Sequence, residues 1–345
     1  MTVLFFAATV LPLLPTEWWA ARLLDFPRAY WAAALALAAC GLLLSRHHAP
    51  RRIAAMLGLA LVGIGINLAI LWPYRPAATR LASSTAGACP TPQQFSVLIA
   101  NVRLGNRNAA PLLEAVGRTA PDVFLAMETD AWWDQALRPV TASMPHTVQE
   151  ITGSYYGIEL FSRLPLRSGA IRYLAGADTP AVLAEVVLRT GEAVSFVGLH
   201  PRPPLVLQSA LGRDSQLYAA AALLRERGEP SVLAGDLNAT PWEIAVQRLR
   251  RLAGLVDPRR DTGYVATWNA RSAWFRWPLD HILHEGGFTT VSIERLGAFG
   301  SDHFPYLARL CRTAGPPKPV PPAGPEDRAA ANAVLTAAGA SERLR

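Results

Sequence analysis

Gly235-Asp-Leu-Asn-Ala-Thr-Pro-Trp242 is the stretch from which the rest of this chain can be read. It closes an apolar run starting at Ser231, so Ser231 to Asp236 predicts a strand, and the Asn, Thr and Pro behind it predict a turn. Alternate residues at such a strand end point the same way, which aims Asp236 and Asn238 at one cavity. The bland alternative is that both side chains only hydrogen-bond the turn. A second cluster, Ser301-Asp-His303, follows Gly297 and Gly300 and precedes a strand-like run, Phe304 to Leu310. Alone it reads as a loop.

Outward from these two points the pattern repeats. Phe95-Ser-Val-Leu-Ile-Ala-Asn101, Asp122-Val-Phe-Leu-Ala-Met-Glu128, Tyr156 to Ser162, Ala181 to Leu188 and Ala193 to His200 predict strands. Helical spacing over Pro111 to Thr119 and Leu207 to Arg227 lies between them, so residues 95–312 predict an α/β domain. Several strands end in a group that can ionise or bind a cation: Asn101, Glu128, His200 and Asp236. Strand ends converge on one rim of a sheet, where α/β folds place their sites. Glu128 could instead cap a helix beginning near Asp130, and His200 could be a buried, satisfied histidine. The set offers hard oxygens, imidazoles and an amide without a thiolate, which suits Mg²⁺, or Mn²⁺ in its place. Phosphate-ester hydrolysis needs a cation on the phosphoryl oxygens, a group to orient water, and donors for developing charge. Glu128 and Asp302 could hold the ion, Asp236 could orient or deprotonate water, and His303 and His200 could donate to phosphate.

The ordered set Asn101, Glu128, His200, Gly235-Asp-Leu-Asn238, Asp280 and Ser301-Asp-His303 resembles the endonuclease/exonuclease/phosphatase superfamily, which includes pancreatic-type deoxyribonucleases and neutral sphingomyelinases. The resemblance spans nearly the whole domain. It implies a four-layer α/β sandwich of two packed β-sheets and metal-dependent phosphodiesterase or phosphatase chemistry. By the same resemblance Asn101 is a phosphate or metal contact, Glu128 and Asp302 are metal carboxylates, Asp236 and Asn238 orient water, and Asp280 holds His303. His200 resembles the family's other histidine. Two departures stand out. Some members carry an acid where this chain has Arg103, which could contact phosphate instead. Near Tyr155 and Tyr156, where deoxyribonucleases place an acid supporting that other histidine, the nearest substitute is Glu159, on the other strand face.

The rest of the chain predicts a membrane region over residues 1–75. Ile53 to Tyr74 is an uncharged run of 22 residues, Arg28 and Arg46 bracket 17 more uncharged positions, and Thr2 to Thr16 is a third apolar stretch. Three transmembrane helices are expected. No Lys or Arg precedes the first, which argues against a cleaved signal peptide. Arg46, Arg51 and Arg52 crowd the loop between the second and third, so that loop is expected in the cytoplasm and the catalytic domain outside it, in a multi-pass protein; Arg22, Arg28, Arg75 and Arg80 weigh the other way. Residues 76–94 read as a linker, and 313–345 as a Pro-rich linker and tail ending in a short helix, Glu326 to Ala338.

The formal charge of +7 is not a nucleic-acid footprint of the domain. Residues 95–312 hold 22 Arg, no Lys and 21 Asp or Glu, a balance of +1, so the remaining +6 lies in the membrane region and tails. Cys89 and Cys311 bracket the domain; outside the cytoplasm they could pair, and otherwise they are two unrelated thiols. Thr267-Trp-Asn-Ala-Arg-Ser-Ala-Trp-Phe-Arg-Trp277 interleaves Trp268, Trp274 and Trp277 with arginines. These rings could stack bases, enter lipid headgroups, or simply pack on the domain. The expected partners are the bilayer and a phosphate-ester substrate, lipid or nucleic acid, with no obligate protein partner. The expected function is membrane-anchored phosphoesterase; the alternatives are a nuclease or a non-catalytic phosphate- or lipid-binding relative.

Overall fold

Strand β1 (Gln94–Asn101) shows how the architecture arises. With a side-chain period of two, Phe95, Val97 and Ile99 enter one apolar cluster while Leu98 and Ala100 enter another on the opposite face. The strand therefore has packing partners on both sides. In the computed structural model, which describes residues 1–44, 50–75, 89–228, 230–313 and 319–340, this holds for both sheets. The remaining strands are β2 (Val123–Met127), β3 (His146–Glu150), β4 (Ile158–Ser162), β5 (Leu166–Arg172), β6 (Ala181–Val187), β7 (Ala193–Leu199), β8 (Ser231–Asp236), β9 (Leu255–Val256), β10 (Asp280–Glu285), β11 (Phe288–Arg295) and β12 (Tyr306–Arg312).

They form two mixed six-stranded sheets, ordered β11-β12-β1-β2-β4-β3 and β5-β6-β7-β8-β10-β9. β1–β2 and β7–β8 are the parallel pairs, one near the middle of each sheet. Val97, Ile99, Leu125 and Leu160 of the first sheet pack against Val182, Val194, Phe196 and Val232 of the second. The sheets approach closely: a Cβ added at Gly198 would lie 2.9 Å from Leu125 Cδ1. On the outer face of the first sheet, the helices Ala110–Thr119 and Ala131–Leu137 bring Leu112, Val116, Trp133 and Leu137. On the outer face of the second, Leu211–Arg227 and Ile244–Ala253 bring Leu217, Leu224, Val246 and Leu249. Helices, sheet, sheet and helices make the expected four layers. The C-terminal helix Pro325–Ala337 is part of this body, because Ala331 and Leu335 are buried in the cluster of the second sheet.

Cys89 and Cys311 are joined by a disulfide, with Cα atoms 5.8 Å apart, which fastens the start of β1 to the end of β12. Most of the linker expected at 76–94 lies outside the described residues, as does much of the arginine-rich loop expected in the cytoplasm.

The region expected to lie in the membrane departs from expectation in helix length. Among the described residues one helix, Pro50–Tyr74, is long and apolar enough to cross a membrane; Thr2–Leu13 and Arg28–Leu44 are apolar but shorter. The helices Thr2–Val10, Arg28–Leu44 and Pro50–Leu71 nevertheless pack together, with Arg28 and Asn67 meeting Thr9 through buried hydrogen bonds. The N-terminal segment is also built into the α/β domain. Buried Arg22 pairs with Asp214 at 3.2 Å, Trp242 Nε1 donates to the carbonyl of Asp25 at 2.8 Å, and Tyr74 donates to the carbonyl of Pro241 at 3.1 Å.

Candidate active site

The ends of β1, β2, β7 and β8 lie together where the two sheets meet. Each apolar strand stops at a polar residue that would be costly to bury further unless partnered, and here the partners are one another. Asn101 ends β1. Its Nδ2 donates to Glu128 Oε1 at 2.9 Å and to Asp236 Oδ2 at 3.1 Å, while its Oδ1 accepts from the backbone N–H of Arg103 at 3.0 Å. That backbone donor fixes the amide orientation, so Asn101 bridges two carboxylates with its nitrogen and turns its oxygen away from them. An oxygen contact from Asn101 to a metal would need the amide turned the other way.

Glu128 follows β2 in a left-handed backbone conformation (φ 63°), and its Oε2 accepts from the N–H of Leu104 at 3.0 Å. Asp236, only 1% exposed, ends β8. Gly235 before it has φ 145°, and an added Cβ would meet the Leu199 carbonyl oxygen at 1.8 Å, so only glycine lets β8 lie against β7 there. Asp236 Oδ1 accepts from the N–H of Asn238 at 2.9 Å. Asn238 itself has φ 50°, and its Nδ2 donates to the carbonyl of Pro201 at 3.0 Å. Its side chain thus holds the His200 loop to the turn after β8.

His200 follows β7. Its Nε2 lies 3.8 Å from Asp236 Oδ2 and 4.0 Å from Glu128 Oε1, and its buried Nδ1 has no hydrogen-bond partner. Tyr156 packs on its ring at 6.0 Å. Glu159 lies in β4, faces Thr129 rather than His200, and is raised to about 7 chiefly by burial. It is no substitute for an acid behind His200.

His303 is held from both sides. Its Nδ1 is 2.9 Å from Asp280 Oδ2 and its Nε2 is 3.4 Å from Asp236 Oδ2. Burial opposes its charge, but the Asp280 and Asp236 carboxylates outweigh burial and raise it to about 10, so it is an imidazolium at neutral pH. Asp280 opens β10 directly across from Asp236 in the ladder, and its N–H is fixed by Thr267 Oγ1 at 3.1 Å. Burial raises Asp236, a rise that His303 opposes. Ser301 locks the last loop, accepting from the N–H of His303 at 3.0 Å and donating to the Asn101 carbonyl at 2.8 Å.

Asp302 and Arg103 stand at the lip, with Arg103 Nε 3.8 Å from Asp302 Oδ1. Glu128, His200, Asp236, Asn238, Asp302 and His303 line one pocket of about 340 Å³. Trp268 lines it too and stacks on Trp277 at 5.5 Å, while Trp274 is 80% exposed. The stretch therefore divides, with Trp268 at the pocket, Trp277 stacked behind it and Trp274 exposed.

The donor set fits a hard divalent cation: carboxylate oxygens dominate and no thiolate is near. Ligand atoms of Asp236, Asp280 and His303 lie within 4.8 Å of one another and could hold a metal ion. Of these, His303 Nδ1 and Asp280 Oδ2 already bond each other. Glu128 and Asp302 also line the pocket, and each Glu128 oxygen accepts one hydrogen bond, from Asn101 and from Leu104.

The sequence assigns no individual role to Ser301 or Thr267 beyond membership of their motifs, and none to Leu23 or Phe26. The latter two line the pocket from the N-terminal segment, and no local pattern announces a contact across some 200 residues.

No curated protein matches the chain. Among solved structures, the fold is similar to D. rerio TDP2 humanised by 14 mutations, with TM-score 0.55 and 18% identity over 63% of this chain and 99% of that one. D. rerio TDP2 complexed with a single-strand DNA product gives TM-score 0.55 and 18% identity over 63% and 98%. An endonuclease/exonuclease/phosphatase family protein from Bacteroides thetaiotaomicron gives TM-score 0.53 and 16% identity over 66% and 98%. At these identities the likeness establishes the fold. In sequence, residues 98–303, more than half of the chain and inclusive of every strand-end group described above, match one family, and the chain therefore belongs to the endonuclease/exonuclease/phosphatase family.

Proposed function

We propose that this protein is a divalent-metal-dependent phosphoesterase, anchored in a membrane with its catalytic domain outside the cytoplasm. Members of its family hydrolyse phosphate esters. The observation that carries the reading is the convergence of Asn101, Glu128, His200, Asp236, Asp280 and His303, drawn from both sheets, around one pocket. A binding module has no use for a buried carboxylate raised by burial beside an imidazolium; a hydrolase does.

Glu128 and Asp302 would hold a Mg²⁺ or Mn²⁺ ion, which supplies charge neutralisation on a phosphoryl oxygen. Asp236, with Asn238 fixing its carboxylate, orients water and accepts its proton. As the new O–P bond forms, the ester O–P bond breaks and its electron pair leaves with the departing oxygen, which takes a proton from solvent. His303, held protonated by Asp280, and His200 donate to the phosphoryl oxygens as charge builds. Arg103 at the lip is placed to meet a phosphate.

Four observations support the location. The helix Pro50–Tyr74 leaves most of its apolar surface uncovered, with 17% of its most apolar window buried. Both of its neighbours, Thr2–Leu13 and Arg28–Leu44, are apolar and pack on it, which supports a multi-pass anchor. The Cys89–Cys311 disulfide suits an oxidising compartment. The domain-side ends of the helical hairpin are Arg28 and Tyr74, so the opposite end, where the third helix starts with Arg51 and Arg52, is remote from the domain, as a cationic cytoplasmic end requires.

The test is a panel of a phosphodiester, a phosphomonoester and single-stranded DNA, offered to the full-length protein with Mg²⁺. DNA belongs in it because the similar D. rerio TDP2 structure holds a single-strand DNA product. Hydrolysis that Asp236→Asn abolishes supports the reading. Metal binding with no hydrolysis of any class would leave a binding protein instead.

A further inference from the structure

A second chamber, of about 790 Å³, opens beside the catalytic pocket at the seam between the N-terminal helices and the catalytic domain. Its size falls in the range of roughly 300–1,000 Å³ that houses whole small ligands. Its walls are Phe26, Ala29, Leu68, Leu71, Trp72 and Trp277, so one side comes from the apolar helices and the other from the domain. Phe26 lines both cavities, and its ring lies 5.9 Å from Trp277, which in turn stacks on Trp268 against His303. The apolar chamber and the catalytic pocket therefore meet at one aromatic partition.

The chamber is apolar but not neutral. Arg75, Arg276 and Arg295 also line it, and none of the three pairs with a carboxylate among the described residues. Arg276 and Arg295 lie over the ring of Phe304, 5.2 Å and 4.5 Å from its centroid, and Phe304 is the residue after His303. Arg75 lies 4.3 Å over Trp72, at the domain end of the long apolar helix. Arg75, Arg276 and Arg295 each donate to a backbone carbonyl, of Trp72, Ser272 and Ala266 in turn, and guanidinium groups left without a carboxylate beside an apolar hollow ask for an occupant with a hydrocarbon chain and an anionic head. Nucleic acid offers the anion without the chain, and a neutral lipid offers the chain without the anion.

We propose that the substrate is a lipid phosphate ester whose hydrocarbon chain lies in this seam chamber while its phosphate sits where the chamber adjoins the catalytic pocket, between His303 and the Arg276 and Arg295 side. This deepens the phosphoesterase reading and rests on it. Leu68 and Leu71 stand at the end of the long apolar helix, so a chain can pass from the bilayer to the chamber without crossing water.

The test uses the full-length protein in lipid nanodiscs with ethyl, octyl and hexadecyl p-nitrophenyl phosphate. Partitioning into the disc enriches long chains for every variant alike, so the diagnostic is what filling the chamber does to the ratio of long- to short-chain kcat/KM. Ala29→Phe and Leu68→Trp each place a large ring in the chamber and should lower that ratio about tenfold. An unchanged ratio in both would overturn the proposal and leave the phosphoesterase reading standing. A parallel measurement reads occupancy without turnover: quenching of tryptophan fluorescence by hexadecyl phosphate with a nitroxide on its chain. Competition by unlabelled hexadecyl phosphate, but not by hexadecanol or inorganic phosphate, supports the assigned occupant even if no ester is cleaved, in which case the phosphoesterase reading alone fails. Equal competition by hexadecanol would mean that any bilayer chain fills the hollow, and would overturn the proposal.

Discussion

Arg22→Met asks whether the N-terminal segment is part of the catalytic fold. Arg22 is 4% exposed; it lies 3.2 Å from Asp214 and 3.8 Å from Glu243, and Arg213 bonds the same two acids from the other side. Two buried cations thus face two buried anions, directly beneath the turn after β8, where Arg213 Nη1 donates to the Asn238 carbonyl at 3.0 Å. Removing Arg22 leaves one uncompensated negative charge. Breaking a buried pair this way costs about 3–5 kcal/mol. Two of the Arg22 nitrogens already lack hydrogen-bond partners, which puts the expected loss near the lower figure, ~3 kcal/mol.

The pH dependence of that loss carries a sign. Burial raises Glu243 to about 7 against the pull of Arg213 and Arg22, and without Arg22 it rises further. A carboxyl raised above its unfolded value of about 4.3 contributes stability that is full at low pH and lost as pH rises through the folded value. The deficit of Arg22→Met should therefore be small near pH 5 and largest above neutrality. Glu243→Gln added to Arg22→Met restores charge balance and should recover most of the loss. The assay is chemical unfolding of the full-length protein in nanodiscs, followed by tryptophan fluorescence. An Arg22→Met protein as stable as its parent at every pH, or a double variant no better than the single, would refute the argument that this network ties the segment to the domain.

Other predictions follow from the same geometry. Asp280→Asn keeps an oxygen that can accept from His303 Nδ1 but removes the charge; kcat should fall about 10–100-fold with KM little changed, as steady-state kinetics will show. His281 is buried, with Arg259 Nη2 at 2.7 Å from its Nδ1 and the Ala239 carbonyl at 2.8 Å from its Nε2. Burial and then Arg259 lower it to about 3, so it contributes stability above about pH 6.5 that is lost as pH falls toward the folded value. Thermal unfolding of His281→Gln should be less acid-sensitive than the parent between about pH 6 and 5, by up to ~1.4 kcal/mol per pH unit. Reducing the Cys89–Cys311 bridge should cost about 2–5 kcal/mol in chemical unfolding, and peptide mapping without reductant should recover the two cysteines linked.

What the sequence disclosed depended on how each residue carries its information. β1, β2, β7 and β8 are buried on both faces and read as continuous apolar runs ending in Asn101, Glu128, His200 and Asp236, so both the strands and the site groups at their ends were legible. β3 (His146–Glu150) and β5 (Leu166–Arg172) are partly exposed edge strands with polar residues on both faces, and no periodicity betrays them. Asp280 was found by resemblance alone, because β10 reads Asp-His-Ile-Leu-His-Glu and its two histidines hide a buried strand. Asn101 is legible as the polar end of β1, but its amide orientation depends on the Arg103 N–H and cannot be read from a residue type. The docking of Arg22, Phe26 and Tyr74 onto the domain is set by long-range contacts, and composition showed only an apolar anchor. Helix lengths, finally, depend on where the backbone stops being helical. The run of 17 uncharged residues after Arg28 became a helix of 17 residues, short of the spanning length that the third helix reaches.

The central proposal is a hydrolytic centre whose cation Glu128 and Asp302 would hold. Phosphate-ester hydrolysis by the full-length protein, titrated with Mg²⁺, tests this most directly when parent and Glu128→Gln are compared. The account predicts saturable metal dependence, loss of activity with chelator, and an apparent Mg²⁺ affinity weakened at least about tenfold in the variant. Hydrolysis that survives chelation, or a variant whose Mg²⁺ titration superposes on the parent's, would contradict it.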